Sequence, residues 1–271
     1  MNAKRDMPLS GKRVLVTRAA HQAGELSARL RELGAEPIEY PVIAIAPPKD
    51  LGRLDQALAR AARGGYDWIV FTSANGVAAV AERMAALGLE GMGFGQARVA
   101  VIGPATARAA AELLRRPADV MPSAYVAEAL AEAMGDVRGQ SILLARADIA
   151  RPALPQALRA AGAQVDEVIA YRTVTEEPAI TRQPDVLSLL AQGQIDAITF
   201  TSSSTVRAFI ARVGRQALSD LHRVVIACIG PITAEAARAE GLSPTVVAEE
   251  YTVNGLVTAL VRYYGRQTYG R

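Results

Sequence analysis

Short, wholly apolar runs alternate along this chain with longer stretches whose apolar residues recur at helical spacing. The runs at 13–17, 66–71, 99–102, 141–145, 195–200 and 224–229 predict buried strands, with shorter ones at 119–121 and 245–247. Helical spacing predicts helices over 23–33, 51–63, from the turn after 71 to about 87, 126–134, 152–161, 183–192, 205–213 and 253–264, with others opening at Pro104 and Pro231. Two segments, 36–46 and 165–175, alternate instead, and the first ends in Pro47-Pro48. They read as extended connectors that pair with each other. Residues 1–9 are a loose lead-in and 265–271 a fraying tail.

The pattern is written twice. Tyr66-Asp-Trp-Ile-Val-Phe-Thr-Ser-Ala-Asn-Gly-Val77 is echoed by Ile195-Asp-Ala-Ile-Thr-Phe-Thr-Ser-Ser-Ser-Thr-Val206, and Ile102-Gly-Pro-Ala-Thr106 by Ile229-Gly-Pro-Ile-Thr233. Gly11 to Arg18 has its counterpart in Gly139 to Arg146, so the copies lie 127 to 129 residues apart (103 to 230, 11 to 139, 66 to 195). Strand and helix alternation implies parallel sheets covered on both faces, in two similar domains. The opening βα unit is matched at the end of the middle block, so its own domain is discontinuous. Domain 1 is expected to join 1–36 with 177–271, domain 2 to span 47–165, and 37–46 with 166–176 to form a two-stranded linker.

Composition narrows the chemistry. The chain has 271 residues, 51% of them hydrophobic, enough for two cores. Thirty Lys and Arg against 27 Asp and Glu give a charge of +3, too weak to argue for nucleic acid. The single cysteine, Cys228, lies in an apolar run and reads as a structural thiol, and neither His21 nor His222 has a partner at metal-ligand spacing. No metal is expected. With no apolar core of signal-peptide length and no run of about eighteen apolar residues, no membrane association and a cytoplasmic location are expected. Neither G-x-G-x-x-G nor the P-loop motif occurs, which disfavours a nucleotide-binding enzyme.

In an open parallel sheet, ligands bind at the strands' carboxyl ends. Those positions hold Thr17 and Arg18, Thr72 and Ser73, Gly103 to Thr106, Arg146, Thr201 to Ser203, and Gly230 to Thr233. Taken singly, each serine or threonine is an ordinary helix cap. Recurrence in two domains facing each other across a hinge favours a site for an anionic small molecule, held by helix N-termini and by the equivalent Arg18 and Arg146. An ion pair within the domain explains either arginine equally well. Tyr171 can overhang the cleft or be a half-buried strand tyrosine.

Taken together, Val16-Thr-Arg18, Phe71-Thr-Ser-Ala-Asn-Gly76, Val101-Ile-Gly-Pro-Ala-Thr-Ala107, Leu143-Leu-Ala-Arg146 with Arg151, Tyr171-Arg-Thr173, Phe200-Thr-Ser-Ser-Ser204 and Ile229-Gly-Pro-Ile-Thr-Ala234 resemble the uroporphyrinogen-III synthase family. The resemblance covers nearly all of 10–264. It implies two flavodoxin-like parallel-sheet domains joined by a two-stranded linker, and a monomer that cyclises hydroxymethylbilane to uroporphyrinogen III, inverting ring D, with no cofactor. It implies further that Tyr171 is catalytic, assisting departure of the substrate hydroxyl. Arg18, Thr72, Ser73, Gly103, Thr106, Arg146, Ser202, Ser203 and Thr233 are then the candidates for substrate binding. Ile232 and Ala145 depart from the family pattern. The alternative is a non-enzymatic two-domain sensor of a carboxylated metabolite that closes around it.

Overall fold

The structure, a computed structural model, describes residues 7–89, 93–124, 126–176 and 184–268. In chain order it runs β1 (Arg13–Val16), α1 (Ala20–Glu32), β2 (Glu36–Glu39), β3 (Ile43–Ala46), α2 (Gly52–Ala62), β4 (Trp68–Phe71), α3 (Ala74–Ala86), β5 (Arg98–Val101), α4 (Pro104–Leu113) and α5 (Ala127–Ala133). There follow β6 (Ser141–Ala147), α6 (Ala153–Ala160), β7 (Gln164–Thr175), α7 (Val186–Ala191), β8 (Ala197–Phe200), α8 (Ser203–Val213), a 3₁₀ turn, α9 (Leu218–Leu221), β9 (Val225–Cys228), α10 (Pro231–Ala239), β10 (Pro244–Val247) and α11 (Val253–Thr268).

The chain divides into two compact units, one made of Met1–Ala44 with Val174–Arg271 and the other of Ile45–Thr173. The first contains a sheet of order β10-β9-β8-β1-β2, parallel at every pairing. Its buried strands carry side chains to both faces, and the period of two sorts them into two cores. Leu15, Ile198, Phe200, Ile226 and Cys228 face one way with α8 and α10 residues, while Val14, Val16, Ala197, Val225 and Ala227 face α1 and α11. Two buried hydroxyls tie the central strands: Thr17 Oγ1 donates to Thr199 O (2.7 Å), and Thr199 Oγ1 to Leu15 O (3.0 Å).

The second unit's sheet runs β3-β7-β6-β4-β5, with the β7–β6, β6–β4 and β4–β5 pairs parallel. Ile69, Phe71, Val99, Val101 and Leu143 face α2, α3 and α4, whereas Trp68, Val70, Ala100, Ile142 and Leu144 face α5 and α6. In each unit the helix after the repeat's first strand ends on a glycine at φ +88°, Gly34 and Gly162. The next residue's N–H reaches back five positions, Ala35 to Leu30 O and Ala163 to Leu158 O, closing both helices the same way.

Several expectations shift. The segments assigned to the linker also serve the sheets: β2 pairs with β1, and β7 pairs with β6 as far as Tyr171. Pro37 is tolerated because β2 is an edge strand, where a missing N–H breaks no ladder bond with a second neighbour. The strand expected at 119–121 reduces to a single bridge between Ala100 and Val120. The last helix passes through Gly265 to Thr268 instead of fraying from 265. The short turns of helix at 215–221 were not legible, and 177–183, part of the expected domain 1 and of the helix over 183–192, lie outside the described residues.

Candidate functional site

Both sheets reverse their strand order at equivalent places, between β1 and β8 in one unit and between β6 and β4 in the other. Such a switch point opens a crevice at the strands' carboxyl ends. Arg18 and Ser202 follow β1 and β8, while Arg146 ends the matching stretch of β6 and Thr72 and Ser73 follow β4. The Gly103 and Gly230 turns follow the neighbouring strands β5 and β9.

In the second unit Ser73 meets Tyr171, and Arg146 acts on it through its charge. Strict alternation along β7 would put Tyr171 on the side of Ile169, which is 47% exposed. Instead the pairing slips, with Arg146 opposite Ile169 and Ala147 opposite Tyr171, so that one extra β7 residue is accommodated. This bulge turns Tyr171 into the core beside Val168 and Ala170, leaving it 7% exposed. Its hydroxyl lies 2.9 Å from Ser73 Oγ, the N-cap of α3, which also accepts the Gly76 N–H at 3.1 Å. Burial pushes the Tyr171 phenol above its ordinary range, the bond from Ser73 pulls it back, and nearby Asp148 and Arg146 act in opposite senses.

Close approach at this turn depends on Gly76. A Cβ there would stand 3.2 Å from Ala145 O, 3.5 Å from Ser73 Oγ and 3.8 Å from Tyr171 Cε1. Ala145 itself is fully buried in β6.

Arg146 is 3% exposed. Its guanidinium donates to Arg151 O and pairs with Glu167 at 3.3 Å, yet Nε and Nη1 make no hydrogen bond. Burial lowers its pKa and Glu167 opposes the shift. Arg18 repeats the arrangement, with Glu25 at 3.7 Å, unbonded Nε and Nη1, and a pKa lowered by burial. Both arginines are therefore paired within their own units and both retain buried donors.

In the first unit the signature turn is closed on itself. Ser202 Oγ accepts the Thr205 N–H at 3.2 Å and meets Ser204 Oγ at 2.8 Å, while Thr205 Oγ1 accepts from Ser202 N at 3.3 Å, a complete capping box. Ser203 Oγ donates to Ile232 O at 3.4 Å, so the Gly-Pro turn is tied through the main chain where Ile232 lacks a hydroxyl. Thr106 and Thr233, third residues of α4 and α10, are both buried, at 5% exposure. Gly103 and Gly230 cap these helices with extended backbone.

Sequence reasoning missed Asp148. The Asp148 N–H donates to Tyr171 O at 3.1 Å and its Oδ1 accepts the Thr173 N–H at 3.0 Å, a clamp on the bulged strand that only the bulge would have revealed. Among the described residues, no group of three or more His, Cys, Asp and Glu could hold a metal ion. No helix among them is long and apolar enough to cross a membrane.

Comparison with known proteins identifies the family. The profile of the family described as "Uroporphyrinogen-III synthase HemD" matches residues 24–258. The uroporphyrinogen-III synthase of Synechococcus elongatus is 37% identical over 270 residues, 97% of this chain and 99% of that one. The porphyrin biosynthesis protein HemD of Ruminiclostridium josui is 32% identical over 97% of this chain, which spans 50% of that longer protein. A crystal structure of mutant uroporphyrinogen III synthase from the extremely thermophilic bacterium Thermus thermophilus shares the fold, with a TM-score of 0.66 at 23% identity over 94% of this chain and 99% of that one. The chain belongs to the uroporphyrinogen-III synthase family.

Proposed function

We propose that this protein cyclises hydroxymethylbilane to uroporphyrinogen III with inversion of ring D, with Tyr171 as its acid. Family membership supports an enzyme of tetrapyrrole biosynthesis and replaces the sensor reading. The observation that carries the assignment of Tyr171 is its buried hydroxyl, 2.9 Å from Ser73 Oγ at the carboxyl edge of the second sheet. A phenol held above its usual pKa keeps its proton at neutral pH and can give it to a departing hydroxyl.

The substrate bears an acetate and a propionate on each ring. Arg18 and Arg146, with donors to spare, and the helix N-termini at Ser73, Gly103, Ser202 and Gly230 suit such carboxylates. Thr72, Thr106, Ser203 and Thr233 stand at the same strand ends and take the remaining polar contacts in this reading. Loss of the hydroxymethyl oxygen as water, with the proton from Tyr171, leaves an azafulvenium cation on ring A, which the substituted α-carbon of ring D attacks. The spiro intermediate fragments and recloses through the other α-carbon, whose hydrogen leaves as the proton that restores the phenol. Atoms balance with one water released and no change of oxidation state. Because the bilane also closes unaided without inversion, the enzyme's main contribution is geometry. The same reading gives a cytoplasmic monomer.

The test is the isomer formed from freshly made hydroxymethylbilane. Mostly type III product is expected, and a ratio equal to that of the spontaneous reaction would reject the proposal.

A further inference from the structure

β10 is the edge strand of the first unit's sheet, yet an aromatic residue in the turn after it leans inward. The Ala248 N–H donates to Cys228 O at 3.0 Å, which holds the chain beside the end of β9. The turn that follows is wound tightly onto α11. The Thr252 N–H donates to Glu250 O at 2.8 Å, Thr252 Oγ1 accepts the Gly255 N–H at 2.9 Å, and a Cβ on Gly255 would stand 2.0 Å from Glu250 O. Held in this way, Tyr251 lays its ring on the Gly230 turn after β9. A Cβ on Gly230 would stand 3.1 Å from Cδ1, 3.3 Å from Cγ and 3.5 Å from Cε1 of that ring. Gly230 has extended backbone, φ −178° and ψ 176°, which any residue adopts. Its missing side chain therefore makes room for the ring and meets no backbone need.

The contact does not bury the ring. Tyr251 stays 37% exposed, while Ala248 and Leu256 on either side of it in sequence fill the core. An aromatic ring that reaches from the sheet's edge over its inner neighbour, toward the switch point between β8 and β1, stands where a ligand of this sheet would lie. The repeat carries the same device in sequence. Gly103 and Gly230 are followed 22 and 21 residues on (103 to 125, 230 to 251) by Tyr125 and Tyr251, each five residues before a buried leucine, Leu130 and Leu256. Tyr125 itself lies outside the described residues. Glu249 and Glu250 precede Tyr251, and Glu249 pairs with Arg262 at 3.0 Å. Acidic neighbours suit contact with the uncharged part of a ligand and repel its carboxylates.

We infer that Tyr251 is a substrate-contacting residue: its exposed ring, seated on the Gly230 turn, is a platform on which one pyrrole ring of the bilane stacks, while the carboxylates are left to the helix N-termini. This rests on the reaction proposed above. Stacking uses the area and the face of the ring, so the hydroxyl is dispensable and the ring is not. The contact is the same in ground and transition states, so its loss is read in binding and not in kcat.

The experiment compares Tyr251→Leu, Tyr251→Phe and Gly230→Ala with the native protein. Uroporphyrin, the oxidised form of the product, serves as a fluorescent probe of binding, and hydroxymethylbilane serves for kinetics. Tyr251→Leu should weaken uroporphyrin binding and raise KM by about three- to tenfold with kcat unchanged. Tyr251→Phe should stay within about twofold of native in both. Gly230→Ala, whose Cβ pushes the ring off its seat, should move both in the same direction as Tyr251→Leu.

A lower urea midpoint for Tyr251→Leu with unchanged binding and KM would make the ring a structural cover and overturn the inference. Equal losses in Tyr251→Phe and Tyr251→Leu would overturn it too, since they assign the contact to the hydroxyl. Failure of the reaction itself looks different: the native protein would leave the isomer ratio at its spontaneous value, while uroporphyrin binding, which needs no turnover, would still separate the variants. Should Tyr251→Leu fail to fold, Gly230→Ala, which moves the ring without removing it, carries the same readouts.

Discussion

The two units carry the same signature turn after equivalent strands, yet one turn is sealed and the other is open. At the third residue of the following helix the first unit has Thr205 and the second has Gly76. Thr205 completes a capping box, so Ser202 spends its hydroxyl on its own helix. Gly76 offers no side chain, and Ser73, still capped by the Gly76 N–H, is left facing Tyr171. One methyl-bearing side chain therefore separates a structural cap from a catalytic candidate. Repeats diverge in function through what they omit as much as through what they add.

The units differ also in continuity, and here the largest effect is expected. Unit two is one stretch of chain, Ile45–Thr173, whereas unit one depends on β1, which sits between β8 and β2. Val14, Leu15 and Val16 are fully buried there. Each such side chain contributes about 1.5–3 kcal/mol, so losing the strand consumes much of a domain's margin of about 5–15 kcal/mol. A fragment of residues 45–173 should unfold cooperatively in urea. A fragment of 174–271 should show no transition until residues 1–44 are supplied, and a cooperative fold without them would break the comparison.

Next in size is the tyrosine. Tyr171→Phe keeps the ring and loses the donor, and assistance of this kind is worth ~10²–10⁴ in rate. Spontaneous closure then outruns the enzyme, so type I product should rise in isomer analysis while substrate affinity holds. Ser202→Ala removes the corresponding hydroxyl of unit one and should cost stability, about 0.5–2 kcal/mol by urea titration, with far less change in rate. Equal loss of rate in the two variants would make the turns equivalent after all.

The turn residues sharpen the contrast further. In Gly76→Ala the new Cβ would press on Ala145 O at 3.2 Å, a backbone atom that cannot swing aside. Displacing the turn from Tyr171 by a fraction of an ångström should lower kcat by up to ~10². Thr205→Ala opens the unit-one box, and its expected signature is a drop in melting temperature of a few degrees with little change in kcat, consistent with a cap worth about 1 kcal/mol.

The strands, the duplication and the discontinuous order were legible because buried parallel strands are short apolar runs and the repeats share turn chemistry. The bulge in β7 was not legible: 165–175 reads as an alternating strand, and only pairing with β6 shows that Ala170 and Tyr171 share a buried side. For the same reason Asp148 passed unnoticed, since nothing local in the sequence aims it at a residue 23 positions away. The partners of Arg18 and Arg146 were invisible too, because Glu25 and Glu167 become neighbours only when helix and strand are in place.

The smallest expected effect compares one buried acid in each unit. Cys228, fully enclosed in β9, has its thiol pushed up to about 12 by burial, and burial likewise raises the Tyr171 phenol. In both, the folded state holds the proton more tightly than the unfolded chain, whose reference values are 9.0 and 10.0. A raised pKa contributes stability that is fully present below the unfolded value and is lost as pH climbs through the folded one. Melting temperature should therefore begin to fall above pH 9.0 through Cys228 and above pH 10.0 through Tyr171. Cys228→Ala should flatten the earlier part of that decline while leaving kcat unchanged. Tyr171→Phe should flatten the later part and abolish most activity at every pH. An alkaline limb identical in the native protein and Cys228→Ala would mean that the thiol ionises as readily folded as unfolded, contrary to its enclosure among Leu15, Phe200 and Ile226.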